Sequence, residues 1–205
     1  MLLHSPLTTI TPTVDGDVLA ALAGAEDWFT TARLHVLIPD RSREGIRRAL
    51  SRLAEQGVVD VLVAGSTRTY QLNRDHLAAP AITALASMKA ALLDRLRWQL
   101  EQWIPAPMFA GVFGSAATGV MSTSSDIDLF LLHPGESPSG WDEALDALTT
   151  QARRWTGNPV NALVMTIDEA RHSAAMEPIL QDIANEAIPL IGTPRAFRQL
   201  TGVQR

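Results

Sequence analysis

The sequence predicts an α+β chain: a helical domain closed by a β-hairpin over residues 13–75, a long linker helix over 76–104, a small mixed-sheet domain over 105–192 and a tail over 193–205. Three observations predict it. Apolar residues recur at helical spacing up to Gly57 and then give way to two short strand-like runs. One apolar stripe continues from Ile82 to Trp103 between Pro80 and Pro105. Beyond it, the runs Met108–Phe113 and Asp126–Leu132 flank a turn rich in glycine and serine.

The 205 residues suffice for one large domain or two small ones. At 46% hydrophobic and 19% charged, the chain can bury a core. It has no cysteine, which excludes disulfides and thiolate metal sites and suits a reducing cytoplasm. The start, Met1–Pro6, lacks the basic residues and apolar run of a signal peptide. No apolar stretch reaches the length of a membrane span, so a cytoplasmic protein with no membrane partner is expected. A net charge of −5 argues against indiscriminate coating of nucleic acid and leaves room for a local basic face.

Residues 1–12, rich in Thr and Pro, read as a loose arm. Asp15 or Asp17 is expected to cap a first helix ending near Gly24, and Thr30 or Thr31 a second that Pro39 stops. Ser42 is expected to cap a third, with Ile46, Leu50 and Leu53 at i, i+4, i+7 and Gly57 closing its end. Val58–Ala64 and Arg68–Asn73 read as strands joined by Gly65-Ser66-Thr67. Three helices and then a hairpin is the order of a winged helix-turn-helix. The words Arg-Ala-Leu-Ser-Arg-Leu-Ala-Glu-Gln-Gly-Val-Val (48–59) and Tyr70-Gln-Leu-Asn73 resemble those of bacterial winged-helix regulators. That resemblance implies a recognition helix from Ser42, with Arg43, Arg47 and Arg48 toward a DNA major groove and Arg68 on the wing near a phosphate. Between Asp40 and Gly57 stand five arginines (41, 43, 47, 48, 52) against three acids (Asp40, Glu44, Glu55). This excess is modest, and the alternative is a solvated helix face in a winged domain that makes protein contacts only.

The stripe on Ala81–Trp103 (Ile82, Leu85, Leu92, Leu96, Leu100, Trp103) must pack on the domain that follows, the preferred reading, or on a second copy of the chain as a homodimer. Further on, His133–Gly140 reads as a loop, Trp141–Thr156 as an amphipathic helix, and Val160–Met165 as a strand. Asp168 is a candidate cap for a helix that Pro178 interrupts or restarts. Ile188–Gly192 reads as an edge strand, because Pro189 lacks the donor that a central strand needs.

The chemistry concentrates at Gly114-Ser115-Ala116-Ala117-Thr118-Gly119 and Ser124-Ser125-Asp126-Ile127-Asp128-Leu129. Gly114 and Ser115 end one strand and open a helix, where free N–H groups and a hydroxyl can hold a phosphate. Asp126 and Asp128 share a strand face about 7 Å apart, with Ile127 turned into the core. Two such carboxylates repel unless cations sit between them, and Mg²⁺ suits them. No histidine pair stands at ligand spacing; His133 ends the Asp strand, with a loop role the simpler account.

Taken together, these parts resemble the signature of the nucleotidyltransferase superfamily of DNA polymerase beta, in particular the minimal nucleotidyltransferase domains of bacteria and archaea. The resemblance implies that Gly114 and Ser115 grip an NTP, ATP by preference, and that Asp126 and Asp128 hold Mg²⁺ or Mn²⁺. The family usually carries a third acid on the strand placed here at Val160–Met165. By register that position is Asn161, an amide in place of a carboxylate. Otherwise the third acid lies elsewhere, at Asp142 or Asp168. Thr118 stands where an Arg often precedes the second Gly. Two functions follow. One is a Mg²⁺-dependent transferase with a DNA-binding domain, its acceptor unnamed by the sequence. The other is a catalytically weak or inactive nucleotide sensor that regulates transcription.

Overall fold

The first three α-helices each follow a hydroxyl residue. Thr13 precedes α1 (Val14–Ala23) with extended backbone and no side-chain cap bond. Asp15 and Asp17, the expected caps, lie instead in the first turn, where negative charge suits the helix dipole and they pair with Arg52 and Arg41. Thr30 Oγ1 accepts the Arg33 N–H at 3.1 Å and opens α2 (Thr31–Leu37). Ser42 Oγ accepts the Gly45 N–H at 3.1 Å and opens α3 (Arg43–Glu55). The computed structural model describes residues 1–133, 135, 140–174 and 176–204. The loop expected over 133–140 thus lies largely outside the described residues.

The chain divides into two compact units, His4–Lys89 and Ala90–Arg205, with Leu2 assigned to the first and Met1 and Leu3 to the second. In the first, β2 (Val59–Ala64) and β3 (Thr67–Leu72) form an antiparallel hairpin across Gly65 and Ser66, with Gly65 at φ +61°. This positive φ at the first turn position is cheap for glycine. The two-residue strand β1 (Phe29–Thr30) pairs with β3, so the sheet order is β1-β3-β2. Two residues cannot display an alternation, which is why sequence reasoning missed β1. Val18, Leu22, Leu34, Ile46, Leu50, Val59 and Leu72 make the core. Residues 1–12 are not the expected loose arm. Pro6–Thr9 form a 3₁₀ turn with Leu7 buried, and it packs on α1.

The expected single helix from Ala81 to Trp103 is two helices. α4 (Ala79–Ala86) stops at Ser87, and α5 (Met88–Glu101) begins beyond it. The stripe serves two cores. Ala79 and Ile82 close the first unit's core, whereas Leu92, Leu96 and Leu100 are buried in a helix that bonds to the second. Ser87, the C-terminal cap of α4, gives the break at little cost in propensity.

The second unit holds β4 (Phe109–Phe113), α6 (Ser115–Thr118), β5 (Ile127–His133), α7 (Trp141–Thr156), β6 (Val160–Thr166), α8 (Ile167–Ser173), α9 (Pro178–Glu186), β7 (Ile188–Ile191) and α10 (Pro194–Thr201). Its sheet runs β6-β5-β4-β7. β5 and β6 are parallel, joined by the α7 crossover, while β4 is antiparallel to both neighbours. Pro189 sits in the edge strand β7. α8 is capped by Thr166, with Glu169 completing a capping box, rather than by Asp168. Residues 193–205 are not a polar tail. α10 buries Phe197 fully, its ring 4.8 Å from Phe109 and 5.5 Å from Phe130. Among the described residues no helix is long and apolar enough to cross a membrane.

Candidate active site

Strand β4 ends at Phe113, and Gly114 turns the chain with φ +67° and ψ −148°. A Cβ there would lie 3.0 Å from Asp128 Oδ2, so only glycine lets the turn close against that carboxylate. Ser115 then opens α6. The N–H groups of Ala117 and Thr118 bond back to the Gly114 carbonyl, and those of Ser115 and Ala116 precede the first helical bond. Thr118 Oγ1 also donates to the Gly114 carbonyl at 3.1 Å, so the residue in the arginine position steadies the turn and brings no charge.

Asp126 and Asp128 flank the buried Ile127 and are themselves half-buried. Their approach is fixed by a serine turn, in which the Ser122 N–H donates to Ser125 Oγ at 2.8 Å. It is fixed again by Asn158, which is 1% exposed and donates from Nδ2 to the Ser125 carbonyl at 2.9 Å. The Ile127 N–H reaches the Pro159 carbonyl. Asn158 is a positioning residue that sequence reasoning missed. The sequence held no signal for it, since its burial is visible only in the fold, where a buried amide must be bonded to something specific.

Asn161 lies directly opposite Asp128 in the parallel register of β5 and β6. Its Nδ2 donates to Asp126 Oδ2 at 3.0 Å and lies 3.4 Å from Asp128 Oδ1. One amide therefore bridges both carboxylates, which shows that Asp126 and Asp128 face the same way. Asp142 and Asp168 stand elsewhere. They begin the helices that follow the C-terminal ends of β5 and β6, and the Asp pair is at the N-terminal ends. His133 is likewise at the far end of β5, buried with its ring 5.2 Å from Trp141, and does not approach the pair.

Residues 93–184 match the family model described as "Nucleotidyltransferase domain". This part of the chain is similar to nucleotidyltransferase domains. The domain match starts inside α5 and ends inside α9, so it contains the Gly114 turn, the Asp pair and Asn161. No curated protein matches the chain. One solved structure, titled "Crystal structure of the toxin-antitoxin with AMP-PNP", is similar to it at 19% identity and a TM-score of 0.40, covering 54% of this chain and 81% of that one.

A divalent cation fits this donor set in part. Two carboxylates converge, but no group of three His, Cys, Asp or Glu at metal-holding spacing occurs among the described residues. The Asn161 N–H group points at the oxygens a cation would take. Turning the amide over would present its carbonyl oxygen, a neutral ligand, in the same place.

The candidate DNA contacts lie in the first unit. Arg47 grips Glu44 through Nε and Nη2 at 2.9 and 2.8 Å, and Arg48 Nε donates to the same carboxylate at 2.9 Å. Arg47 first, and then Arg48, hold the Glu44 carboxyl down at about 2, so it stays charged at any working pH. Its charge offsets part of theirs. Among the described residues neither Arg43 nor Arg68 has a carboxylate within ion-pair distance. Arg47 and Arg68 both line an open cleft of about 860 Å³ that Glu55, Val61 and Tyr70 share.

Proposed function

We propose that the chain is a divalent-cation-dependent nucleotidyltransferase, moving a nucleoside monophosphate from an NTP, ATP by preference, onto an acceptor hydroxyl. One observation carries this reading: within the matched domain, a glycine turn with forward-facing N–H groups closes against two carboxylates that point the same way. In the reaction the acceptor oxygen attacks the α-phosphorus. The bond from that phosphorus to the pyrophosphate oxygen breaks, pyrophosphate leaves with the electron pair, and the hydroxyl proton passes to solvent water. Gly114 and Ser115 hold phosphate oxygens by backbone N–H and hydroxyl donation. Asp126 and Asp128 hold Mg²⁺ or Mn²⁺, which when bound neutralises phosphate charge and favours the ionised acceptor. Asn158 keeps the Asp pair in place. Incubating the protein with labelled NTPs, Mg²⁺ or Mn²⁺ and cell lysate should move label onto one class of acceptor. The absence of label on protein, RNA and small molecules alike counts against the transferase.

Asn161 favours a second reading, a weak or inactive nucleotide sensor, because the site offers an amide where its relatives hold an acid. In both readings residues 13–75 are a winged helix-turn-helix, supported by the order α1, α2, α3, β2, β3 and by Ser42 capping the third helix. If it binds DNA, α3 is the reading helix. Arg43→Ala with Arg47→Ala then weakens binding to the region upstream of its own operon and flattens the salt dependence by about one phosphate contact for each arginine lost. No shift of genomic fragments by the wild type at low salt makes the winged unit a protein-contact module.

A further inference from the structure

The hairpin of the first unit carries an exposed apolar edge. β2 reads Val-Asp-Val-Leu-Val-Ala, and beyond the buried Val59 it is exposed throughout, with Val61 at 41%, Leu62 at 52% and Val63 at 59%. It is also an edge strand, since the sheet ends β3-β2. Edges are normally blunted by lysine, proline or a bulge. β2 has no lysine, proline or bulge and a single charge, Asp60, and it pairs with β3 in unbroken register from Val59 to Ala64.

The directions of its backbone groups follow from the ladder. The Asn73 N–H donates to the Val58 carbonyl, which makes 58 and 73 a bonded pair. Bonded pairs alternate along an antiparallel ladder, so residues 60, 62 and 64 bond to β3. Residues 59, 61 and 63 therefore aim their N–H and C=O groups at the open edge. Apolar side chains stand on both faces of the same strand. An occupant must supply backbone partners and apolar cover above and below, which a strand does and a helix or a phosphate backbone does not.

We infer that this edge pairs with the same edge of a second copy of the chain, antiparallel about a twofold axis through Leu62. The side-chain order is self-complementary in that register. Leu62 meets Leu62, and Val61 meets Val63 with mutual backbone bonds between outward-facing groups. Asp60 falls opposite Ala64, so the two Asp60 carboxylates stand about 13 Å apart along the strands, beyond the screening length at physiological salt. A shift of the axis to Val61 would set Asp60 against Leu62 and bring the buried Val59 into the seam. The result is a continuous six-stranded sheet, β1-β3-β2 and its twofold mate.

The protein contains no cysteine, so a single introduced one reports the register cleanly. In the full chain, Leu62→Cys places a thiol against its own copy at a non-bonded pair, where cross-strand distances are shortest. It should form a disulfide dimer on mild oxidation, whereas Ala64→Cys, exposed on the same face, should not. Sedimentation should show the wild type as a dimer and Leu62→Lys, a substitution at a half-exposed position, as a folded monomer by circular dichroism. A loss of at least tenfold in association, about 1.4 kcal/mol, is expected. A monomeric wild type gives the edge to some other chain and overturns the self-pairing. So does a dimer that Leu62→Lys leaves intact, or equal cross-linking by the two cysteine variants.

Discussion

Replacing both acids, Asp126→Ala with Asp128→Ala, should cost roughly a hundredfold in affinity for an NTP with Mg²⁺, about 2.8 kcal/mol. Calorimetry with a non-hydrolysable analogue reads this directly. The argument is electrostatic. A triphosphate carries several negative charges, and the turn at Gly114 offers it only N–H dipoles and the Ser115 hydroxyl. The charge that draws a cation to the phosphates comes from the carboxylates, which Ile127 anchors by burying itself between them. Removing them takes away the cation's protein ligands but leaves the turn in place. Residual binding should therefore be weak and insensitive to added Mg²⁺. Equal binding by wild type and variant would mean that the nucleotide sits elsewhere.

What the sequence made legible depended on how local each signal was. Gly114 and the Asp-x-Asp strand could be read because a glycine turn and a two-residue alternation are written within a few residues of each other. The Asn161 register, which the sequence left open against Asp142 and Asp168, falls opposite Asp128 because Val160–Met165 pairs with β5 in parallel. The break at Ser87 was not legible. The apolar spacing continues through it, and only the presence of two cores on one stripe divides α4 from α5. α10 was missed for a related reason. Pro194–Thr201 is half polar by composition, and its main anchor is Phe197, whose partners Phe109 and Phe130 lie far away in the chain. The pairing of Arg47 and Arg48 on Glu44 lay in plain view at i+3 and i+4 spacing, yet a count of basic residues passes over it.

Asn161→Asp should raise turnover by about tenfold or more, with little change in nucleotide affinity. As the protein stands, one amide donates toward both carboxylates, at 3.0 and 3.4 Å, so Asn161 acts as a neutral clamp where a third negative charge would otherwise face them. A two-acid site still binds a cation–nucleotide complex, because the phosphates supply ligands of their own. On the transferase reading it lacks charge on the acceptor side, which would leave the attacking hydroxyl protonated at neutral pH. An aspartate in register with Asp128 supplies that charge. The same change removes the clamp, and this gives a second readout that does not depend on turnover. Without a divalent cation, three carboxylates face one another, and the variant should be less stable than the wild type by on the order of 1 kcal/mol. Added Mg²⁺ should restore more stability to the variant than to the wild type, because it binds the folded form with one more ligand. Thermal melts with and without Mg²⁺ measure the difference. If the variant melts like the wild type in both conditions, the amide is not bridging the pair. If turnover in an active wild type is unchanged by the new aspartate, the acceptor hydroxyl is activated from another position.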